Sequence, residues 1–218
     1  MIWTIAVHNF AHQIVVGACA VKSRMTRETL SAWISEGRGQ GCLSSYRPWI
    51  RHTRRSPHGK GNVNLPYIPL FDRQATFLSR NEWEVALLVL WLGVNDMWEQ
   101  YPFWPWPHPH PLYGQLGISP DSAQFSRGTL ALARDLGIRH GVYPGSAMPY
   151  VSTTDIVFAK SESQAIKLIA VDAKPLGELE GDQMAVRTHE RLVLARTYYQ
   201  ELGIPWFGRF QASCRLDG

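Results

Sequence analysis

Two apolar, β-branched runs separated by a short polar stretch constrain the fold of this chain more than any other feature. The first is Thr153-Thr-Asp-Ile-Val-Phe158, and the second is Ile169-Ala-Val-Asp-Ala-Lys174. Runs of this composition predict β-strands, and the polar residues 160–164 between them predict a hairpin turn. The chain should therefore contain an antiparallel strand pair with charged side chains gathered at one end.

The charged residues at that end predict a site for phosphodiester chemistry. Side chains alternate faces along a strand, so Asp172 and Lys174 should point the same way, and Asp155 at the mouth of the partner strand can join them. Two carboxylates and an ammonium can hold Mg²⁺ and organise a water molecule. An Asp-x-Lys triplet alone is common by chance, so the rest of the chain must support this interpretation.

Length and composition allow one domain with a core, or one domain plus an arm. The chain has 218 residues, of which 45% are hydrophobic and 18% are charged, as in an ordinary globular protein. Its nine Trp and fourteen Pro residues suggest long, structured connections. The formal charge of +4 permits nucleic-acid binding without indicating it.

The positive charge is concentrated in residues 21–60. This segment has nine Lys and Arg against two Glu, a net charge of +7 (9 − 2), which exceeds that of the whole chain. Such a segment predicts a phosphate-contacting arm, and a solvated basic surface is the plain alternative. The candidate DNA or partner contacts in the arm are Arg47, Arg54, Arg55 and Lys60.

Cysteine usage and hydropathy favour a cytoplasmic protein. Cys19, Cys42 and Cys214 have neither disulfide-framework nor zinc spacing. No apolar run approaches the ~18 residues of a membrane span. Residues 1–24 lack the basic start of a signal peptide, and we expect them to form a loosely ordered extension.

The remaining elements predict an α/β fold in which helices flank a mixed β-sheet. A capping box, Ser79-x-x-Glu82, begins the clearest helix, which Gly93 ends. Its helically spaced apolar residues are Trp83, Ala86, Leu87, Leu90 and Trp91. The other predicted elements are helices over 26–36, 125–137 and 182–202, and strands over 97–101 and 204–207.

A proline-rich run at 102–111 contains His108 and His110. Its alternating prolines force extended geometry. We expect both histidines on the surface, with a metal clip as the alternative.

Eight short motifs in order resemble TnsA, the endonuclease subunit of heteromeric Tn7-type transposases, within the restriction-endonuclease-like (PD-(D/E)xK) nuclease superfamily. They are Glu36–Gly41, Tyr46–Trp49, Leu78–Glu82, Glu99–Pro102, Gly137–His140, Ser152–Asp155, Ala173–Pro175 and Ile204–Phe207. The family often has Gln where this chain has Asp172, and Asp there matches the wider nuclease pattern.

The resemblance implies a Mg²⁺-dependent DNA endonuclease, in which Mn²⁺ can substitute. Glu82, Asp155 and Asp172 would bind the metal, and Lys174 would complete the catalytic set. The implied partners are double-stranded DNA at transposon ends, a TnsB-like transposase and a TnsC-like AAA+ regulator. Arg38 and Gln40, in the glycine-rich loop, would contact phosphates or the transposase, unless the loop is only a connection.

The resemblance also divides the chain into an extension (1–25), a helix with the basic arm (26–76), a nuclease core (77–210) and a tail (211–218). We expect the family's C-terminal helical domain to be absent from this chain.

Several alternatives remain open at this stage. Glu82 can be explained by its capping position, and Glu84 is the nearby alternative to it. Glu99 could support the site or lie on the surface. For the whole chain, the alternatives are a non-catalytic nuclease-fold module that binds DNA or a partner, and a restriction or repair nuclease that cuts alone.

Overall fold

A computed structural model describes residues 25–51, 63–113, 125–162, 165–173 and 186–208. Four helices lie in these ranges: α1 (Arg27–Ser35), α2 (Arg80–Trp91), α3 (Thr129–Asp135) and α4 (Val186–Glu201). The strands are β1 (Tyr67–Ile68), β2 (Arg73–Gln74), β3 (Asp96–Pro102), β4 (His108–Pro109), β5 (Phe125–Ser126), β6 (Thr153–Glu162), β7 (Ala165–Val171) and β8 (Trp206–Phe207).

A four-stranded mixed sheet forms the centre of the fold, in the order β3-β6-β7-β8. β6 pairs antiparallel with both β3 and β7, whereas β7 and β8 run parallel. The predicted hairpin is confirmed, although pairing extends to Glu162↔Ala165, so the connection is shorter than the predicted turn over 160–164. The predicted mixed sheet with helices is also confirmed.

The two faces of the sheet carry separate hydrophobic clusters, and each packs against a different helix. On one face Val85, Ala86 and Val89 of α2 pack with Ile156 and other sheet residues. On the opposite face the residues of α4 pack with α3 and alternate sheet residues. This second cluster includes Ala195, Tyr198, Tyr199, Leu132, Val157, Ala159, Leu168 and Ala170. The sheet is therefore the middle layer of a three-layer arrangement.

The segment 26–76 contributes to the core as well as to the surface. Tyr46 joins the α4-side cluster, Phe71 joins the α2-side cluster, and Trp49 lies in a third cluster with Leu30 and Trp104. The division into extension, arm, core and tail remains a prediction.

The start of α2 is confirmed, but its predicted apolar face is partly wrong. Ser79 is the N-cap, and its side chain accepts from the Glu82 backbone N–H. Trp91 is 80% exposed and Leu87 is 47% exposed, whereas Val85 and Val89 are buried. Because α2 is apolar on more than one side, spacing alone could not identify the face that meets the sheet.

The predicted helix over 125–137 starts too early. Phe125 and Ser126 form β5, which pairs with β4, and the helix begins only at Thr129. Gly128 separates the two elements with φ +83°. In the last predicted helix, residues 182–185 lie outside the described ranges. The observed end of α4 at Glu201 is one residue before the predicted end at 202, and Gly203 follows with φ +66°.

The prediction that His108 and His110 lie on the surface is wrong. They are 2% and 7% exposed. His108 Nδ1 lies 2.9 Å from the Trp106 carbonyl oxygen and must donate to it, so Nε2 accepts from the Tyr198 hydroxyl at 2.7 Å. His108 also stacks on Tyr198 of α4 with the ring centroids 5.5 Å apart, so this helix covers that part of the proline run.

Within the described ranges, no helix is both long and apolar enough to cross a membrane.

Candidate functional site

Asp155 and Asp172 lie directly opposite each other on neighbouring strands. The β6–β7 ladder pairs Ile156 with Val171, and the two aspartates occupy the next position beyond that pair. The Asp155 backbone N–H donates to Asp172 Oδ1 at 3.0 Å. The Ala173 backbone N–H donates to Asp155 Oδ2 at 2.8 Å. Each carboxylate therefore accepts from the other strand where the backbone ladder ends.

β8 fixes Asp172 from its other side. The Trp206 indole Nε1–H donates to Asp172 Oδ2 at 2.9 Å, and the Asp172 backbone N–H donates to the Phe207 carbonyl at 3.0 Å. Asp155 and Asp172 are 8% and 7% exposed. Two carboxylates this close and this well covered favour a bound cation, because burial penalises unneutralised negative charge.

The regular alternation of side chains fails in β3 beside this pair. Trp98 and Tyr101 both lie in the α4-side cluster, although residues three apart on a regular strand face opposite sides. Gln100, between them, has φ +49°, and the ladder has no paired position between Glu99↔Ile156 and Tyr101↔Thr154. That unpaired position places Gln100 across from Asp155. A left-handed non-glycine residue of this kind is uncommon and is concentrated at functional sites.

Gln100 connects α2 to the beginning of β6. Its side-chain Nε2 donates to Glu82 Oε2 at 3.0 Å, and its Oε1 accepts from the Thr153 hydroxyl at 3.0 Å. It is 1% exposed, so both contacts are shielded from water. Gln100 thus links Glu82 to the strand that carries Asp155.

Glu82 is a buried helix-capping residue as well as a member of this chain of contacts. Its Oε1 accepts from the Ser79 hydroxyl at 3.1 Å, and its Oε2 accepts from the Leu78 backbone N–H at 2.8 Å. It is 6% exposed. The capping interaction predicted from the sequence is therefore present, with Leu78 N–H rather than the N-cap N–H as the backbone donor.

The two alternative glutamates have structural roles in this fold. Glu84 pairs with Arg80 at 2.7 Å on the outer side of α2. Glu99 is completely buried, and its Oε1 accepts from Arg73 Nη1 at 2.8 Å and from the Thr76 backbone N–H at 3.2 Å. Glu99 therefore holds the β2 segment against the sheet.

The described part of the basic arm forms a folded loop. Arg38 stacks 4.0 Å over the Trp33 ring and pairs with Glu36 at 2.9 Å. Gln40 forms an isolated β-bridge with Arg47, whose Nη1 donates to the Glu36 carbonyl at 2.9 Å. Arg54, Arg55 and Lys60 lie outside the described residues, as does Lys174.

The oxygen ligands at the strand ends fit a Mg²⁺ ion. Mg²⁺ takes hard oxygen ligands and is usually held by one or two carboxylates while keeping several waters. Asp155 and Asp172 supply two adjacent carboxylates, and a carboxylate oxygen that accepts one protein hydrogen bond keeps a second lone pair. In the described part of the chain, no three His, Cys, Asp or Glu side chains form a metal-binding group, so Glu82 stands apart from the two aspartates.

Sequence reasoning missed Gln100, Trp206 as a donor to Asp172, and Arg73 as the partner of Glu99. A glutamine carries no sequence signal for a positive φ. The Trp206 contact depends on the parallel pairing of β8 with β7. The sequence predicted a strand over 204–207 but did not predict its partner. The Arg73–Glu99 pair joins residues that are far apart in sequence. Glu99 begins one of the eight motifs, but Arg73 lies in none of them.

Comparison with known proteins supports a relationship to transposition proteins. No protein-family model matches the chain. It is 30% identical over 175 residues to the Transposon Tn7 transposition protein TnsA of Escherichia coli. The match covers 80% of this chain and 53% of that protein, so the chain spans about half the length of the relative. The resemblance carried by the eight motifs is thereby confirmed, and this chain is a TnsA homologue.

Proposed function

We propose that this chain is a Mg²⁺-dependent DNA endonuclease of a cut-and-paste transposon. It would hydrolyse phosphodiester bonds at the 5′ ends of the element, together with a TnsB-like partner transposase. The observation that carries this proposal is the buried Asp155–Asp172 pair at the end of the central sheet of a TnsA homologue.

The two aspartates would contact the metal directly. Glu82, which stands apart from them, would add its carboxylate from α2 through one of the waters that Mg²⁺ keeps. Asp155 and Asp172 would hold a divalent ion whose charge would neutralise the phosphate and lower the pKa of a nucleophilic water. Lys174 would orient that water and stabilise negative charge on the phosphoryl oxygens. Mn²⁺, which accepts the same oxygen ligands, is expected to replace Mg²⁺.

Rigid placement of the carboxylates supports a catalytic role. A backbone N–H from the neighbouring strand holds one oxygen of each aspartate, and the Trp206 indole holds a second oxygen of Asp172. Supporting hydrogen bonds of this kind fix the orientation of metal-ligating carboxylates. The strand ends would thus present a preformed pair of ligands to an incoming phosphate.

The proposed partners are double-stranded DNA at the transposon ends, the TnsB-like transposase and a TnsC-like AAA+ regulator. Recognition of the end sequence would come from the transposase. Arg47 is exposed and could meet a phosphate, whereas Arg38 is held against Trp33 and Glu36. Gln40 lies beside Arg47 and would act with it.

One observation favours a second candidate, a non-catalytic module that binds DNA or a partner. Protein donors already bond both oxygens of Asp172, one oxygen of Asp155 and both oxygens of Glu82. Carboxylates satisfied in this way can stabilise a fold without binding metal. The two candidates differ in whether the aspartate charges are needed for strand cleavage.

Reconstituted end cleavage tests the proposal. A supercoiled plasmid with both transposon ends would be incubated with Mg²⁺, the TnsB-like transposase, the TnsC-like regulator and this chain, and cuts on each strand would be mapped by primer extension. The variants would be Asp155→Asn, Asp172→Asn and Lys174→Ala. Asn removes the negative charge and keeps one oxygen acceptor, which is enough for the Ala173 N–H at position 155. At position 172 the new NH2 would meet one of two N–H donors, so the unfolding transition of Asp172→Asn would be measured alongside cleavage.

We expect wild type to cut the 5′ strands and each variant to lose this cut while the 3′ strands are still cut by the transposase. Retained 5′ cleavage in both Asn variants would place the reaction elsewhere. If the wild-type mixture cuts the 3′ strands but not the 5′ strands, this result would support the non-catalytic module. Cleavage of DNA by this chain alone would instead support an independent nuclease.

A further inference from the structure

A cavity of about 90 Å³ lies between α3, α4 and the start of β6, next to the aspartate pair. Its polar lining includes Asp172, Thr153, Thr129, Thr188, His140 and Arg191. Phe103 and Ala195 form part of its apolar wall. The cavity therefore joins one of the proposed metal ligands to a set of hydroxyl groups and a permanent cation.

Arg191 is the exposed cation at this cavity, and it has no ion pair or hydrogen bond to any other residue in the described ranges. Its neighbour Glu190 could neutralise it but pairs instead with Arg187 at 2.9 Å. An arginine that has no partner among the described residues can take an anionic ligand, and its planar guanidinium suits the oxygens of a phosphate.

His140 lines the same cavity as a neutral ring. Its Nδ1 lies 2.8 Å from the Gly141 carbonyl and must donate to it. Its Nε2, 2.8 Å from the Thr129 hydroxyl, is then the acceptor in the neutral ring. Burial lowers the pKa of His140, which keeps this form at neutral pH. Among the residues that line the cavity, Arg191 therefore supplies the permanent positive charge, and Asp172 lines the same cavity.

We propose that Arg191, supported by the hydroxyl of Thr188, binds a DNA phosphate adjacent to the one that would be held at the Asp155–Asp172 metal site. This inference rests on the proposed nuclease function and adds a phosphodiester subsite to it. Because Asp172 also lines the cavity, a strand with one phosphate at the aspartates would carry a neighbouring phosphate close to it. Arg191 would neutralise one of them and fix the register of the strand.

Arg196 provides a matched control for this subsite. It lies on the same helix, is exposed and carries the same charge, but it lies outside the cavity lining. Binding of a fluorescein-labelled DNA duplex would be followed by anisotropy in Ca²⁺ between about 50 and 200 mM salt, the range over which phosphate contacts weaken strongly. Wild type, Arg191→Gln, Arg191→Lys and Arg196→Gln would be compared, with Mn²⁺ titration of each variant as a check on the aspartate pair.

Arg191→Gln should weaken binding by roughly tenfold, as expected for one lost charge-assisted contact. It should also reduce the slope of log Kobs against log salt by about one unit. Arg196→Gln should change the slope by much less, Arg191→Lys should recover part of the affinity, and Mn²⁺ binding should persist in all variants. Equal effects of Arg191→Gln and Arg196→Gln would overturn the subsite but leave the nuclease proposal standing. Absence of DNA binding by wild type would overturn both.

Discussion

The buried ion pair between Glu99 and Arg73 predicts a large loss of stability when one partner is changed. The side chains of these residues are 0% and 6% exposed, and Glu99 Oε2 lies 2.8 Å from Arg73 Nη2. Arg73 also donates to the Met97 carbonyl and stacks 5.0 Å from the Tyr46 ring. The guanidinium is therefore enclosed and depends on Glu99 for neutralisation.

Glu99→Gln should lower the free energy of unfolding by about 3–5 kcal/mol, because it leaves a buried arginine without its counter-charge. The new amide also directs N–H groups at a side chain that can only donate. For a chain of this length each kcal/mol lowers Tm by about 2–4 °C, so the expected shift is roughly 6–20 °C. Thermal unfolding followed by circular dichroism would measure it.

Glu84→Gln is the matched control for this experiment. Its partner Arg80 is 81% exposed, and such i,i+4 pairs contribute about 0.3–0.5 kcal/mol. If Glu99→Gln does not fold, the double variant Arg73→Met/Glu99→Leu should fold better, because apolar replacement of both partners removes the desolvation cost. Equal Tm values for Glu99→Gln and Glu84→Gln would refute the argument that burial makes this pair important.

Three further predictions concern the glycines around α3, a buried histidine and the capping glutamate. Gly128→Ala should lower the free energy of unfolding, measured in urea, more than Gly137→Ala. Both glycines have positive φ, but only at Gly128 would an added Cβ lie 2.5 Å from backbone atoms. Burial lowers the pKa of His108 to about 4, so the unfolded chain takes up a proton that the folded chain does not between about pH 6.5 and 4. The free energy of unfolding should therefore fall by about 3 kcal/mol as the pH falls through that window. His108→Asn should make the free energy of unfolding less dependent on pH over this range. Identical pH profiles for the variant and wild type would contradict this. Glu82→Gln should keep the free energy of unfolding within about 1 kcal/mol of wild type, because its amide oxygen can still accept from Gln100. It should nevertheless abolish 5′ cleavage, and an active variant would limit Glu82 to capping.

Local rules predicted the elements whose signals are local. The β6–β7 hairpin follows from two β-branched runs, and the start of α2 follows from the Ser79–Glu82 capping pattern. The opposition of Asp155 and Asp172 follows once that hairpin register is known. These parts of the fold and site needed no long-range information.

Features that depend on distant packing could not be predicted in this way. The left-handed conformation of Gln100 depends on contacts with α2 and β6, which a glutamine does not signal. The burial of His108 depends on α4 covering a proline run that looks solvent-exposed in sequence. The start of α3 was predicted too early because Phe125 pairs with β4 rather than continuing a helix. In each case tertiary contacts overrode the local pattern.

Calorimetric titration of Mn²⁺ into wild type and Asp155→Asn most directly tests whether the aspartate pair is a metal-binding nuclease site. Mn²⁺ stands in for Mg²⁺ because it takes the same oxygen ligands and binds more tightly at most such sites. The titration would be repeated with duplex DNA present, since a phosphate can complete the ligand set. We predict binding by wild type that Asp155→Asn abolishes while its unfolding transition is retained. Absence of Mn²⁺ binding by folded wild type with and without DNA, or equal binding by the variant, would contradict the account.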